Sequence, residues 1–299
     1  MKSLRLLFPN FLVILLIVVL ASCGQKSNEN SNESNGEEFE QAETEVIDQI
    51  ESIVYDIPPP SEIPFILEAT GAEYNESLIN DIRKIDSYEI TNDIAAMNLG
   101  VYSTDMGYLI SYDKVQEALN YLSSTKNLAD HLGVTASVNV ELLKRFEDNL
   151  ANKDSLAYIL NEAIDETDNF LQNNNRNRIA ALLIAGSFIE GLYISTELIR
   201  TYPKDLLPDD VRNLVLTPII RAILEQEKSL DNLISLMETI NQENPVGSIK
   251  NHLTDLKALY SELDIQKQIE ESRPDMVIND TTLIGITEKV ATIRNSITE

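Results

Sequence analysis

The sequence predicts an all-α fold, either a multi-helix bundle or an array of helical hairpins. Apolar residues recur at steps of three and four along most of the chain, which is the helical period. Ten glycines and ten prolines in 299 residues leave long stretches without helix breakers. Strict alternation of apolar and polar residues with tight-turn dipeptides, which is typical of strands, does not occur. We therefore expect long helices joined by short connections.

The first 22 residues have the composition of an export signal. Two basic residues and no acid precede an apolar run over residues 6–20, and small residues close the run. A basic start, a short apolar core and a small-residue cleavage site are typical of such signals. The run of about 15 residues is shorter than the roughly 20 that a membrane-spanning helix needs. We expect residues 1–22 to be a removable signal peptide.

The segment Leu20-Ala21-Ser22-Cys23 resembles the lipobox of bacterial lipoproteins. The resemblance implies cleavage between Ser22 and Cys23, diacylation of the Cys23 sulfur and often a third acyl chain on the new amine. Two or three chains would make the attachment durable, since each buried methylene contributes about 0.8 kcal/mol. The expected partner is a membrane, reached through acyl chains on Cys23. The alternative is an ordinary secretory signal with a chance cysteine.

The residue after the cysteine bears on which membrane is expected. Gly24 stands there, whereas an aspartate would resemble the inner-membrane retention signal of some Gram-negative bacteria. We therefore expect a lipid-anchored protein of the cell envelope at the outer membrane, on either the periplasmic or the surface-facing leaflet.

Behind the lipidated cysteine, residues 23–36 form the next predicted segment. Residues 24–36 have no apolar side chain, so burial cannot offset the entropy of ordering them, and we expect a flexible tether. The helical domain is predicted over residues 37–299. Its first helix has one apolar stripe and ends at three consecutive prolines; the stripe is Phe39, Ala42, Val46, Ile50, Ile53 and Ile57.

Capping residues and breakers divide the rest of the domain. Residues 92–132 are predicted as one long helix or two, because Asp113 with Gln116 resembles a capping box, and Gly133 ends this stretch. The other predicted helices are 61–71 with a Ser61 cap, 76–85 with an Asn75 cap, 136–149, 154–172, 176–201, 208–241 with a possible break near Pro218, 245–271 and 280–297.

The most apolar helix covers residues 179–194. A helix that is apolar all round is buried in a domain or in a membrane, and Glu190 within only sixteen residues favours the domain. Gly186 and Gly191 would let a neighbouring helix approach closely. Residues 105–111 resemble residues 189–195, which lie 84 positions later. This similarity predicts two related helical hairpins. We expect Gly107 and Gly191 to lie in helix–helix contacts.

Two acids, Asp105 and Glu190, fall on apolar helix faces and are the candidate buried polar site. A buried acid is costly unless it is paired, and its pKa is often raised. They are either an acid–base or cation-binding pair, or a structural pair, and we favour the structural interpretation because ion-pair networks also perturb pKa values. The expected structural partners are the hydroxyls of Tyr102, Tyr108, Tyr193 and Ser187, or the arginines Arg178 and Arg221.

Composition excludes several classes of function. Cleavage before Cys23 would leave 49 acidic and 21 basic residues, a formal charge near −28, so no nucleic-acid partner is expected. Lipidation would use the single cysteine, and two histidines, His131 and His252, cannot build a metal cluster alone. We expect His131 in a last helical turn and His252 on an apolar stripe. No catalytic residue, metal or cofactor is predicted.

Three segments carry a resemblance over most of the domain: Pro60-Ser61-Glu62-Ile63, Gly71-Ala72-Glu73-Tyr74-Asn75 and Asn98-Leu99-Gly100-Val101-Tyr102-Ser103-Thr104-Asp105-Met106-Gly107-Tyr108. They resemble uncharacterised all-helical lipoproteins and exported proteins of Bacteroidota, and the resemblance implies no activity or substrate. The sequence thus predicts a membrane-anchored binding or scaffolding module that is not an enzyme, with a protein or small molecule as its partner. The alternatives are an enzyme that uses Asp105 and Glu190, and a purely structural envelope component.

Overall fold

The computed structural model describes residues 71–134, 140–173, 176–202, 222–262 and 281–299, together with residues 208, 211, 212, 216 and 220. All belong to one unit, Gln41–Glu299. Of these residues 82% are helical and none is in a strand, which confirms the all-α prediction. The predicted signal peptide, the tether and the helices predicted over 37–57 and 61–70 lie outside the described residues.

Two short 3-10 helices come first. Glu76–Leu78 is capped by Asn75, whose Oδ1 accepts a backbone N–H two residues on at 3.0 Å. Ile82–Tyr88 is capped in the same way by Asp81 at 2.9 Å. The Asn75 cap is confirmed, but the single helix predicted over 76–85 is wrong. An aspartate side chain that binds the backbone ahead of it starts a new helix, which the period of the apolar residues does not reveal.

Residues 92–132 form two helices, α1 (Asn92–Ser111) and α2 (Val115–His131). Asp113 separates them with a left-handed φ of 58°. Its N–H donates to the Ile110 carbonyl at 3.1 Å, and the next N–H donates to the Leu109 carbonyl at 2.9 Å, which is a Schellman ending. The predicted capping box at Asp113 is therefore wrong, since this residue ends α1 and does not cap α2.

The later helices follow the predicted ranges to within a few residues where they are described, with one exception between residues 208 and 241. They are α3 (Val140–Asp148), α4 (Lys153–Asn173), α5 (Asn177–Thr201), α6 (Glu227–Thr239), α7 (Val246–Glu262) and α8 (Thr281–Thr298). Gly133, at φ 69°, ends α2 as predicted. The helix predicted over 208–241 is interrupted by a turn at Glu225 and Gln226. Pro218 and residues 263–271 lie outside the described residues.

Helices α1 and α5 form the centre of the domain. They pack on each other along much of their length, and nearly every residue of both is buried. Among the described residues, α5 is the one helix that is long and apolar enough to cross a membrane. However, 89% of its most apolar 18-residue stretch is buried inside this domain. Around this pair, α2 and α4 pack on α1, and α8 packs on both α5 and α7.

Two glycines allow the backbones of α1 and α5 to touch. A Cβ atom added at Gly100 would lie 2.1 Å from the Leu183 carbonyl oxygen, and one added at Gly186 would lie 2.0 Å from the Met97 carbonyl oxygen. Neither carbonyl can move without disturbing its helix. The close approach predicted at Gly186 is confirmed, and Gly100 is its counterpart on α1.

Hydroxyl groups add hydrogen bonds across this contact. The Ser187 Oγ donates to the Gly100 carbonyl at 3.1 Å, and the Thr104 Oγ1 donates to the Ser187 carbonyl at 3.3 Å. The predicted pairing of the two similar segments is thus a direct packing of α1 on α5. Gly107 and Gly191 are buried in these helices, and the contacts expected of them stay predictions.

Replacing Gly100 or Gly186 by alanine should lower the free energy of unfolding by about 1–3 kcal/mol or more, because the new methyl group overlaps a backbone carbonyl. Urea unfolding measures the change. Gly285→Ala is the matched control, since its Cβ would meet nothing nearer than a Leu259 methyl at 3.7 Å. That variant should gain up to about 1 kcal/mol of helix propensity. Wild-type stability in Gly100→Ala would contradict the close contact.

Candidate functional site

The two acids singled out in the sequence meet at the centre of the domain. Asp105 of α1 and Glu190 of α5 are both fully buried. Their carboxyl groups are hydrogen-bonded to each other. The contact follows from the packing of α1 on α5, because each acid lies four or five residues beyond the glycine that lets the helices approach.

An arginine from the last helix completes the site. The Arg294 Nε lies 3.0 Å from Glu190 Oε2, and its Nη2 lies 3.2 Å from Oε1. The guanidinium therefore donates one hydrogen bond to each carboxylate oxygen. Its central carbon also lies 4.8 Å from the centroid of the Tyr193 ring. We call Asp105, Glu190 and Arg294 the acid–arginine cluster. The sequence prediction did not include Arg294.

Of the two arginine partners expected from the sequence, Arg178 binds a different acid. Arg178 binds Asp93 at the start of α1, with Nε–Oδ1 at 3.0 Å and Nη2–Oδ2 at 2.7 Å. Arg221 lies outside the described residues. The sequence did hold one signal for Arg294: it is four residues after Val290 and three before Ile297, at the edge of the apolar stripe of α8.

Three of the four hydroxyls expected as partners of the acids are hydrogen-bonded to other groups. The Tyr102 hydroxyl donates to the Asp81 carbonyl at 2.9 Å, and the Tyr108 hydroxyl accepts the Asn75 N–H at 3.0 Å. Ser187 bonds across the helix contact, and the ring of Tyr193 faces Arg294.

Asp105 instead receives a backbone donor. Its Oδ2 accepts the N–H of Asn80, in the link between the two 3-10 helices, at 3.0 Å. Its Oδ1 is buried and accepts no hydrogen bond from the described donors. A buried oxygen that accepts no hydrogen bond fits the one that carries the proton, because a protonated oxygen acts as a donor.

The charges of the cluster balance only if one proton stays bound. Burial raises the pKa of Asp105 well above its ordinary value of 3.8, and the charge of Glu190 raises it further. Burial also raises the pKa of Glu190, but Arg294 and the hydrogen bond from Asp105 oppose this. Burial alone would lower the pKa of Arg294, yet Glu190 holds it above its usual range. The acid pair therefore retains one proton, which we place on Asp105.

Tyrosines surround the Asn80 link that covers Asp105. The Tyr121 hydroxyl donates to the Asn80 carbonyl at 2.7 Å, and the Asn80 side-chain amide donates to the Tyr88 hydroxyl at 3.2 Å. The rings of Tyr88 and Tyr121 both pack on that of Tyr102. Burial raises the pKa values of all three phenols, which keeps them neutral beside the acids.

The same segment holds the end of α8. The Tyr88 hydroxyl donates to the Thr298 carbonyl at 2.8 Å, and the Lys84 ammonium donates to it at 3.2 Å. The Asn98 amide of α1 donates to the Ile297 carbonyl at 3.0 Å. Carbonyls in a last helical turn have no partner within the helix. These three side chains therefore supply hydrogen-bond donors to the last turn of α8.

A cavity of about 30 Å³ lies beside Leu99 and Met106. A cavity of that size holds about one water molecule, whereas ligand pockets measure roughly 300–1,000 Å³. The hydroxyls that line it, those of Ser103, Thr125 and Thr167, already donate to carbonyls of their own helices.

Neither histidine belongs to a metal centre in the part of the chain that is described, where no group of three potential ligands comes together. His131 lies in the last turn of α2, and His252 is half-buried on α7, with its Nδ1 3.3 Å from the Lys289 ammonium. These are the positions expected from the sequence.

The acid–arginine cluster can hold a proton, but its acids lie out of reach of a substrate, since both are fully buried. Comparison with known proteins adds no relative: no family model, no curated protein and no solved structure matches the chain. The function is therefore inferred from the sequence and from the geometry of the site.

Replacing Arg294 by methionine should destabilise the domain by about 3–5 kcal/mol at neutral pH, because a buried acid loses its counter-charge. Chemical unfolding of the variant and the wild type measures this loss. Arg83→Met is the matched control. Arg83 pairs with Asp81 in the same protein, but the two side chains are 86% and 37% exposed, and exposed pairs contribute little to stability. Equal losses in the two variants would mean that Arg294 is an ordinary surface cation.

Proposed function

We propose that this chain is a lipid-anchored module of the cell envelope, with the outer membrane as its site. Its helical domain binds or scaffolds a partner and does not catalyse a reaction. The anchor is supported by the segment Leu20-Ala21-Ser22-Cys23 and the apolar run before it. The partner is a protein or a small molecule, because a formal charge near −28 disfavours nucleic acid.

One observation carries the choice of a binding module over an enzyme. The acids on which the enzyme alternative depends, Asp105 and Glu190, are fully buried and are bound to each other, to the Asn80 N–H and to Arg294. A general acid or base must come within hydrogen-bond reach of its substrate. In this arrangement the two acids hold helices together, and a catalytic role for them would require the centre of the domain to open.

Complementation of a deletion strain tests this proposal. At neutral pH, Asp105→Asn should restore envelope integrity as well as the wild type does, because the amide replaces the carboxylic acid in both hydrogen bonds. Cys23→Ser should fail to restore it, lose metabolically incorporated fatty acid and leave the membrane fraction. Ser22→Ala is the control for the cleavage site, since it keeps a small residue there and should be labelled like the wild type.

Two results would contradict the proposal. Equal fatty-acid label in Cys23→Ser and the wild type would show that Cys23 does not carry the acyl chains. Failure of a folded, lipidated Asp105→Asn variant to complement would favour the enzyme alternative.

A further inference from the structure

Two parts of the chain cover the acid–arginine cluster, residues 80–88 and the last turn of α8, residues 294–298. We call them together the cap. Each part binds one acid: the Asn80 N–H binds Asp105, and Arg294 binds Glu190. The two parts also bind each other, because Tyr88 and Lys84 donate to the Thr298 carbonyl. The cap and the acids therefore form one connected unit.

The groups that face the acid pair carry a single positive charge. They are Tyr88 from the second 3-10 helix, Tyr102 from α1, Tyr121 from α2, Tyr193 from α5 and Arg294 from α8. The four phenols are neutral. Of the charged side chains further out, Asp81 pairs with Arg83, Glu197 pairs with Arg200, and the Lys84 ammonium binds the Thr298 carbonyl. Two carboxylates would thus face one guanidinium at a site closed to water.

We propose that the proton retained between Asp105 and Glu190 locks the cap in place, and that its release at higher pH opens the cap. Release takes the proton from Asp105 Oδ1 to solvent and changes the charge of the cluster from zero to minus one. Two ionised carboxylates in contact repel each other and are costly to keep dry. Movement of the cap is the local change that would let water reach both, because residues 80–88 and 294–298 carry the groups that cover them.

The direction of the pH effect follows from proton counting. The closed state binds one proton more than the open state, in which Asp105 would titrate near its ordinary value of 3.8. The opening constant should therefore rise about tenfold per pH unit above that value, and level off once pH exceeds the raised pKa of Asp105. Below the ordinary value both states bind the proton, and opening should not depend on pH.

Hydrogen exchange on the full-length protein tests the proposal. Protection factors, corrected for the intrinsic exchange rate at each pH, are measured for residues 80–88 and 294–298 and for α7 as an internal reference. In the wild type, protection of the cap should fall by up to about tenfold per pH unit. Protection of the cap should also stay below that of α7 at every pH, because the cap opens without unfolding of the domain. Global unfolding releases the same proton, so the pH slope of α7 can equal that of the cap.

Asp105→Asn supplies the decisive variant. Its amide can donate to Glu190 and its carbonyl can accept the Asn80 N–H, but it has no proton to release. Protection of its cap should be independent of pH over the same range. Asp86→Asn is the matched control, since Asp86 is an exposed residue of the cap itself, and its protection should fall as in the wild type.

Three results would overturn the proposal. Cap protection in the wild type that does not change with pH would show that no locking proton is released. The same fall in Asp105→Asn as in the wild type would place the proton elsewhere. Equal protection of the cap and α7 at every pH would mean that the cap opens only when the whole domain unfolds, so that the proton controls global stability and not the cap. If Asp105→Asn does not fold, the comparison of the cap with α7 in the wild type decides the matter.

Discussion

Two carboxyl groups and one guanidinium lie together at the buried centre of this domain, and the surrounding structure depends on that constraint. Asp105, Glu190 and Arg294 come from three different helices, and the Asn80 N–H brings a fourth segment to the same point. Burying a charge is tolerated only where it is paired and hydrogen-bonded. The domain satisfies this condition with one ion pair and one retained proton. Each of the four segments must therefore be in place for the others to be satisfied.

The cluster contributes more to the choice of structure than to raw stability. Apolar residues of the same volume often replace a buried ion pair without loss, so the charges do not explain why the domain is stable. They do restrict how α8 docks, because a shift by one residue would move Arg294 away from Glu190 and leave a buried acid unpaired. The glycine contact restricts α1 and α5 in a similar way, since only Gly100 and Gly186 allow that backbone separation.

The sequence was sufficient to predict the structural features that depend on the local spacing of apolar residues. The helical period predicted the all-α fold, the ends of α5 and α8, and the burial of Asp105 and Glu190 on apolar faces. It did not predict that Arg294 binds Glu190, because the two are 104 residues apart and periodicity says nothing about partners. It also placed a cap at Asp113, since an aspartate is common at helix starts and is less often left-handed than glycine.

The proton on Asp105 links this account of the fold to the proposed behaviour of the cap. The most direct measurement is a carbon-13 NMR titration of the Asp105 side-chain carboxyl in the wild-type protein, assigned by the loss of its resonance in Asp105→Asn. The cluster geometry predicts a carboxyl that stays protonated to a pH well above its ordinary pKa of 3.8. A carboxyl that titrates near that ordinary value would mean that both acids are ionised in the folded state, and would contradict the account.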